Sequence, residues 1–372
     1  MFNKFVSLTQ MYNQLQLDAA TAHSDLLSAS VPFSFPSVLS AIGHSEPIKK
    51  KPRILHLLED RNLGGVTRSL KLVLSSPLAE QFDFEICTPE EFLASREPAA
   101  AVIFHDAVSW KTLPLLWRLS QKTRLIIHEH HYSAGFEEHN VPCIARFHMM
   151  LKLAYSLAWR VVAVSHAQAS WMLKHNLVHT DKLHAFQQCY PLSPLLAKPF
   201  SVPTGKLVLG AYGRFCHMKG FDTLISAMAN LTNQPIHLLI GGYGSDEEKL
   251  RAQAKGMNNV EFVGLVKDVG GFLEQCDAIV IPSRWEPFGG VCLEARAAGR
   301  PVIVSQVDGL TEQVEGCGFF VPPDNVDALS KTIHKLQTQE LRMLGTAARD
   351  SAHKSTNRYF ANWGSLLIET AN

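Results

Sequence analysis

Two carboxylates, Glu286 and Glu294, flank the glycine pair Gly289-Gly290 where an apolar run gives way to a helix-compatible stretch. Ala278 to Ile281 is apolar and β-branched, Pro287 interrupts regular structure, and Val291 to Ala298 suits a helix until Gly299 and Pro301 stop it. A strand, a loop and a helix start in that order form an anion site. Glycines without Cβ let a ligand approach the backbone, and the first N–H groups of a helix point at it. A diphosphate there would lie beside Phe288, Gly289, Gly290 and Val291. Glu294, about one turn into the helix, would repel the diphosphate unless turned to a neighbouring diol such as ribose, which offers two hydroxyl donors. Glu286, on the loop side, could hold the hydroxyls of a sugar.

The segment GAYGRFCHMKGFDTLISAMANL (210–231) sets Arg214 and Lys219 between a strand and a helix, with Asp222 as the expected N-cap. Both cations would face the diphosphate and stabilise charge building on a leaving group. His128, His130 and His131 end the run RLIIHEHHYSAGFEEH (124–139). On a regular strand neighbouring side chains point to opposite faces, so His130 and His131 should not aim inward together, and no metal site is expected. The loop GGYGSDEEKL (241–250) lacks the third glycine of a dinucleotide fingerprint, and no Asp-x-Asp occurs.

The stretch from Glu286 to Glu294, together with RAAGRPVIV (296–304) and the turn Gly309 to Glu312, resembles the retaining glycosyltransferases of family 4, whose two-domain fold is called GT-B. The resemblance implies a nucleotide-sugar donor held by the C-terminal domain, with Glu294 on the ribose and Glu286 on the transferred sugar. Gly213-Arg214 and Lys219-Gly220 match the family's paired cations. Gly64-Gly65, opening a helix after the first strand, is similar to the family's glycine loop facing donor phosphate and acceptor. The family also carries a histidine that contacts the donor sugar, and His130 is its positional match. The site implied is therefore Glu286 and His130 as catalytic residues, with Arg214, Lys219, Glu294, Phe288, Gly289, Gly290, Val291, Gly64 and Gly65 on the donor. The sequence departs from the family at AFQQCYPLSP (185–194), where an Asn-Gly is usual, and at Val307 to Leu310, where a glycine pair is usual.

The elements that must position these residues alternate as in parallel α/β proteins. Apolar runs begin near residues 54, 84, 100, 124 and 160, and again near 207, 236, 260, 278 and 301. The expected fold is α/β, two doubly wound Rossmann-like domains facing across a cleft. Expected boundaries are an extension or linker over 1–50, an acceptor-side domain over 51–195, a nucleotide-sugar domain over 196–354 and a helix over 355–372. The resemblance implies that this last helix crosses back to the first domain.

Near-balanced charge, 35 basic against 34 acidic residues, gives no reason to invoke nucleic acid. Seven scattered cysteines without a C-x-x-C unit fit a reducing cytoplasm. No apolar run reaches the roughly 18 residues of a membrane span, and the first residues do not read as a secretory signal. Peripheral contact with the inner face of the cell membrane stays open, through the run 143–160. The implied activity is transfer of a sugar from a UDP-, GDP- or ADP-sugar to a glycan or lipid-linked hydroxyl acceptor. No cofactor or metal is required, and cell-surface polysaccharide or glycolipid synthesis is the setting. Alternatives are an epimerase or phosphorylase of the same fold, or a non-catalytic glycan- or nucleotide-binding protein.

Overall fold

Short apolar segments in this chain are buried on both faces, which is what a parallel sheet covered by helices on either side demands. The computed structural model describes residues 50–59, 64–199, 205–314, 316–336 and 338–371. The expected extension before residue 50 lies outside them. In the first sheet β1 (Arg53–Leu57), β2 (Asp83–Cys87), β3 (Ala101–Phe104), β4 (Arg124–Glu129), β5 (Arg160–Ala163) and β6 (Leu183–Ala185) run parallel in the order β2-β1-β3-β4-β5-β6. In the second, β7 (Leu207–Arg214), β8 (Ile236–Tyr243), β9 (Val260–Gly264), β10 (Ala278–Ile281), β11 (Val302–Ser305) and β12 (Gly318–Val321) are also parallel, in the order β12-β11-β10-β7-β8-β9. Strand order reverses between β7 and β10, and a crevice for ligands opens at such a switch point beyond the strands' carboxyl ends.

Four helices carry or brace the polar side chains gathered at the strand ends. These are α1 (Gly65–Leu74), α2 (Phe221–Ala229), α3 (Gly290–Ala297) and α4 (Ser355–Ala371). Asp222 does not cap α2. The cap position is Gly220, held at φ +61°, where a Cβ would come within 2.0 Å of the Pro282 carbonyl oxygen. Asp222 instead accepts two hydrogen bonds from the Arg284 guanidinium, at 3.1 and 2.9 Å. Helix α4 lies on the first sheet's side. Its Tyr359 hydroxyl meets Ser69 of α1 at 2.8 Å, and its Glu369 takes hydrogen bonds from Arg124 at 2.8 Å and Arg160 at 3.0 Å. Trp363 is buried between Phe186 and His128, each ring edge-on to it.

Helix Ile144–Leu157 buries Met150, Leu151, Ala154 and Tyr155 and exposes Ile144, Met149 and Leu153. Among the described residues no helix is long and apolar enough to cross a membrane. A cavity of about 420 Å³ lies at the amino ends of β4 and β5, lined by Lys122, Arg124, Trp159 and Lys182. Lys122 and Lys182 already donate to backbone carbonyls there, so these cations serve the fold.

Trp363→Ala would empty a large fully buried volume where α4 closes the first sheet. A loss of about 3–5 kcal/mol is expected, seen as a lowered unfolding midpoint in denaturant titration.

Candidate active site

The switch point of the second sheet brings the segment after β7 beside the loop after β10. Glu286 and Glu294 are both buried, so they are not the solvated surface acids that lone glutamates usually are. Each has a cation. Lys219 pairs with Glu286, whose carboxylate also accepts from the Ser283 hydroxyl at 3.3 Å. Arg68 of α1 pairs with Glu294, which takes a second hydrogen bond from the Tyr212 hydroxyl at 2.6 Å. Because Arg68 comes from the first sheet and Glu294 from the second, this ion pair spans the cleft.

Asp308 ties the loop of Glu286 to the other side. Its carboxylate accepts from the Glu286 amide at 3.0 Å, the Ser133 hydroxyl at 2.8 Å and the Gly135 amide at 3.2 Å. It does so from a left-handed backbone conformation, φ +36°, which an aspartate tolerates better than most residues. Glu312 makes a second tie, accepting from the Ala167 amide at 3.0 Å and the Gln187 side chain at 2.8 Å. Trp285 stacks on His139 with ring centroids 5.0 Å apart. Most of these contacts link residues more than a hundred positions apart, beyond the reach of any local sequence pattern.

The structure brings together Lys219, Glu286, Glu294, Gly65 and Gly290, and adds Arg68, Tyr212, Tyr190, Ser283 and Asp308, which sequence reasoning missed. Arg214 is exposed at the end of β7 and pairs with neither carboxylate. The Phe288 ring is buried in the core, so only its backbone is open to a ligand. Gly289 takes φ +97° at the cap of α3, and a Cβ there would strike Leu310 at 2.4 Å. At Gly290 the close approach is made by Tyr190. A Cβ on Gly290 would lie 2.7 Å from the Tyr190 hydroxyl oxygen, and one on Gly65 would lie 3.1 Å from it. Glycine at these two helix starts leaves room for a tyrosine from the segment crossing between the sheets. Gly64 is exposed in extended backbone, and Val291 is half-buried.

The histidines form a chain rather than a surface cluster. His56 Nδ1 lies 2.9 Å from His105 Nε2, and His105 Nδ1 lies 3.0 Å from His130 Nε2. His130 Nδ1 is 3.3 Å from the Gln188 amide nitrogen, and the Gln188 oxygen accepts from the Tyr190 hydroxyl at 2.9 Å. Strand β4 ends at Glu129, so alternation stops there; His130 and His131 both reach His105, the latter bonding its carbonyl oxygen at 3.1 Å. His128, against His130 and Trp363, leaves both ring nitrogens without a hydrogen bond. Burial pushes His56 and His128 down to about 3. Burial and neighbouring rings hold His105 and His130 well below the ordinary histidine value. Ring nitrogens of His105, His128 and His130 lie within 4.8 Å of one another, a spacing at which a metal could be held. The expectation of no metal site therefore cannot rest on strand alternation. A metal there would replace the His105–His130 hydrogen bond.

Residues 195–351 match the family model described as glycosyl transferases group 1. An uncharacterized glycosyltransferase of Methanocaldococcus jannaschii is 33% identical over 43% of this chain and 42% of its own length. The lipopolysaccharide core biosynthesis glycosyltransferase LpsD of Rhizobium meliloti is 34% identical over 33% of this chain and 36% of its own length. The chain thus spans about two fifths of the curated relatives it matches. The solved structure of Anabaena Alr3699/HepE in complex with UDP and glucose superposes with a TM-score of 0.68 at 19% identity, covering 84% of this chain and 98% of that one. The two parallel sheets and this likeness identify the fold as GT-B, two Rossmann-like domains.

His56, His105 and His128, all buried, and half-buried His130 set a pH dependence of stability. With folded values below the unfolded value of about 6.5, the unfolded chain binds more protons in acid, so stability is full above about 6.5 and declines as pH falls toward 3. His128→Phe, which forfeits no hydrogen bond, should flatten that decline in denaturant midpoints measured from about pH 7 to 4.

Proposed function

We propose that this protein is a glycosyltransferase of group 1 that moves a sugar from a nucleoside-diphosphate donor to a hydroxyl acceptor with retention of anomeric configuration. The observation that carries the reading is the pairing of two buried carboxylates with Lys219 and Arg68 at the switch point of the second sheet. Buried carboxylates are costly without partners, and the two cations neutralise them. An incoming donor can take over both pairs. The ribose diol donates to Glu294 and the sugar hydroxyls to Glu286. Lys219 is released toward the diphosphate, and Gly289, Gly290 and Val291 offer backbone amides to it. Arg214, exposed at the strand end, reaches the outer phosphate. Gly64 and Gly65 face the phosphate from the first domain, and His130 meets the sugar.

In the transfer itself the bond from the anomeric carbon to the phosphate oxygen breaks, and a bond from that carbon to the acceptor oxygen forms on the same face. The leaving diphosphate takes the acceptor's proton. The chain supplies the cations that stabilise the developing charge and the carboxylates that hold the rings; no metal is needed for this balance. The UDP and glucose of the Anabaena structure support uridine donors as the first to test, and the part of LpsD in lipopolysaccharide core biosynthesis supports surface-polysaccharide synthesis. A lipid-linked acceptor met at the membrane's inner face belongs to the same proposal.

A panel of UDP-, GDP- and ADP-sugars, assayed for released nucleoside diphosphate, tests the activity. Glu286→Gln should lower kcat more than it raises the donor KM. Lys219→Ala should weaken donor binding and slow transfer, the latter by about 10²–10³-fold. Wild-type kinetics in either variant would remove that residue from the site.

A further inference from the structure

Five side chains from the first sheet and the crossing segment make one continuous line of hydrogen bonds, Tyr190 to Gln188 to His130 to His105 to His56. The line has a direction. The Tyr190 oxygen sits against the starts of α1 and α3, with the Arg68 guanidinium 5.1 Å above its ring. Helix starts are positive, so the oxygen's lone pairs face them and its hydrogen turns away, to the Gln188 oxygen. That orients the Gln188 amide, whose NH₂ must then donate to His130 Nδ1. A neutral imidazole that accepts at Nδ1 carries its hydrogen on Nε2, which it gives to His105 Nδ1; the same step repeats from His105 to His56, whose own Nε2 hydrogen ends the line without an acceptor. His56 and His105 are buried and His130 half-buried, and every partner along the line is an uncharged group, so each link fixes the next.

We propose that Tyr190, Gln188 and His105 are positioning residues that hold His130 with its ring hydrogen on Nε2, leaving Nδ1 as the acceptor that a donor-sugar hydroxyl engages. The proposal rests on the reading of His130 as a sugar contact. The bond to be exchanged is the one from Gln188, at 3.3 Å the longest in the line; the His105 bond, at 3.0 Å, stays and preserves the tautomer. A hydroxyl can donate to such a nitrogen and a fluorine cannot, so the line makes His130 a selector for a sugar hydroxyl over an acceptor-only group. It also explains why the crossing segment carries Gln188 and Tyr190 where the related pattern has Asn-Gly: these side chains complete the line.

Nitrogen-15 NMR of the histidine rings in the full-length wild-type chain at about pH 7 decides the tautomers directly. Hydrogen on Nε2 of His56, His105 and His130 is expected. Hydrogen on Nδ1 of His130, a charged His130 ring, or metal-shifted nitrogens with stoichiometric bound metal would each overturn the proposal. Kinetics supply the second arm. His105→Phe should lower kcat about tenfold or more, the order of one lost hydrogen bond to a buried group, while UDP affinity measured by calorimetry stays within about twofold. His105→Gln, which can still accept from His130 Nε2, should restore most of kcat. Equal loss in both variants, or no loss in His105→Phe, would refute the positioning role. A wild-type chain that transfers no sugar from the donor panel would count against the proposed function, and the ring tautomers would still decide the line itself.

Discussion

Two negative charges buried at the carboxyl ends of one sheet impose most of what is built around them. A carboxylate out of water needs a cation or several hydrogen-bond donors. Glu286 finds Lys219 and Ser283 within its own sheet's loops, whereas Glu294 depends on Tyr212 from β7 and on Arg68 from the opposite domain. Electrostatic neutrality at Glu294 thus requires the two domains to meet. The Arg68–Glu294 pair thus ties one domain to the other.

The remaining cross-cleft contacts are consequences of that closure. Asp308 and Glu312 both belong to the segment after β11, and both spend their carboxylates on backbone amides and side chains of the first domain. These are short-range polar ties at the rim. Tyr190 is the apolar counterpart, a buried ring filling the space that glycines at two helix starts leave open.

Much of this was legible in the chain because parallel strands buried on both faces read as apolar β-branched runs. Ten of the strands coincide with such runs to within a residue or two at their ends. The missed ones, LHA of β6 and GFFV of β12, are short and partly exposed edge strands, which leave little apolar signal. Lys219, Glu286 and Glu294 stood out because their spacing around glycine and proline is local. Arg68, Tyr190, Tyr212 and Asp308 act at a distance in sequence, and one chain without relatives aligned gives no sign of such pairings. Asp222 misled because an acid near a helix start usually caps it, and here Arg284 claims the carboxylate instead.

Helix α4 leaves the second sheet's side of the chain and finishes beside α1, β4 and β5. The first domain is thereby assembled from both extremities of the described sequence. Cutting the polypeptide at the crossing segment would strand Phe186 and His128 without their indole cover, so the opening half alone lacks part of its core. Synthesis of the final helix must be complete before the opening half can acquire its native core.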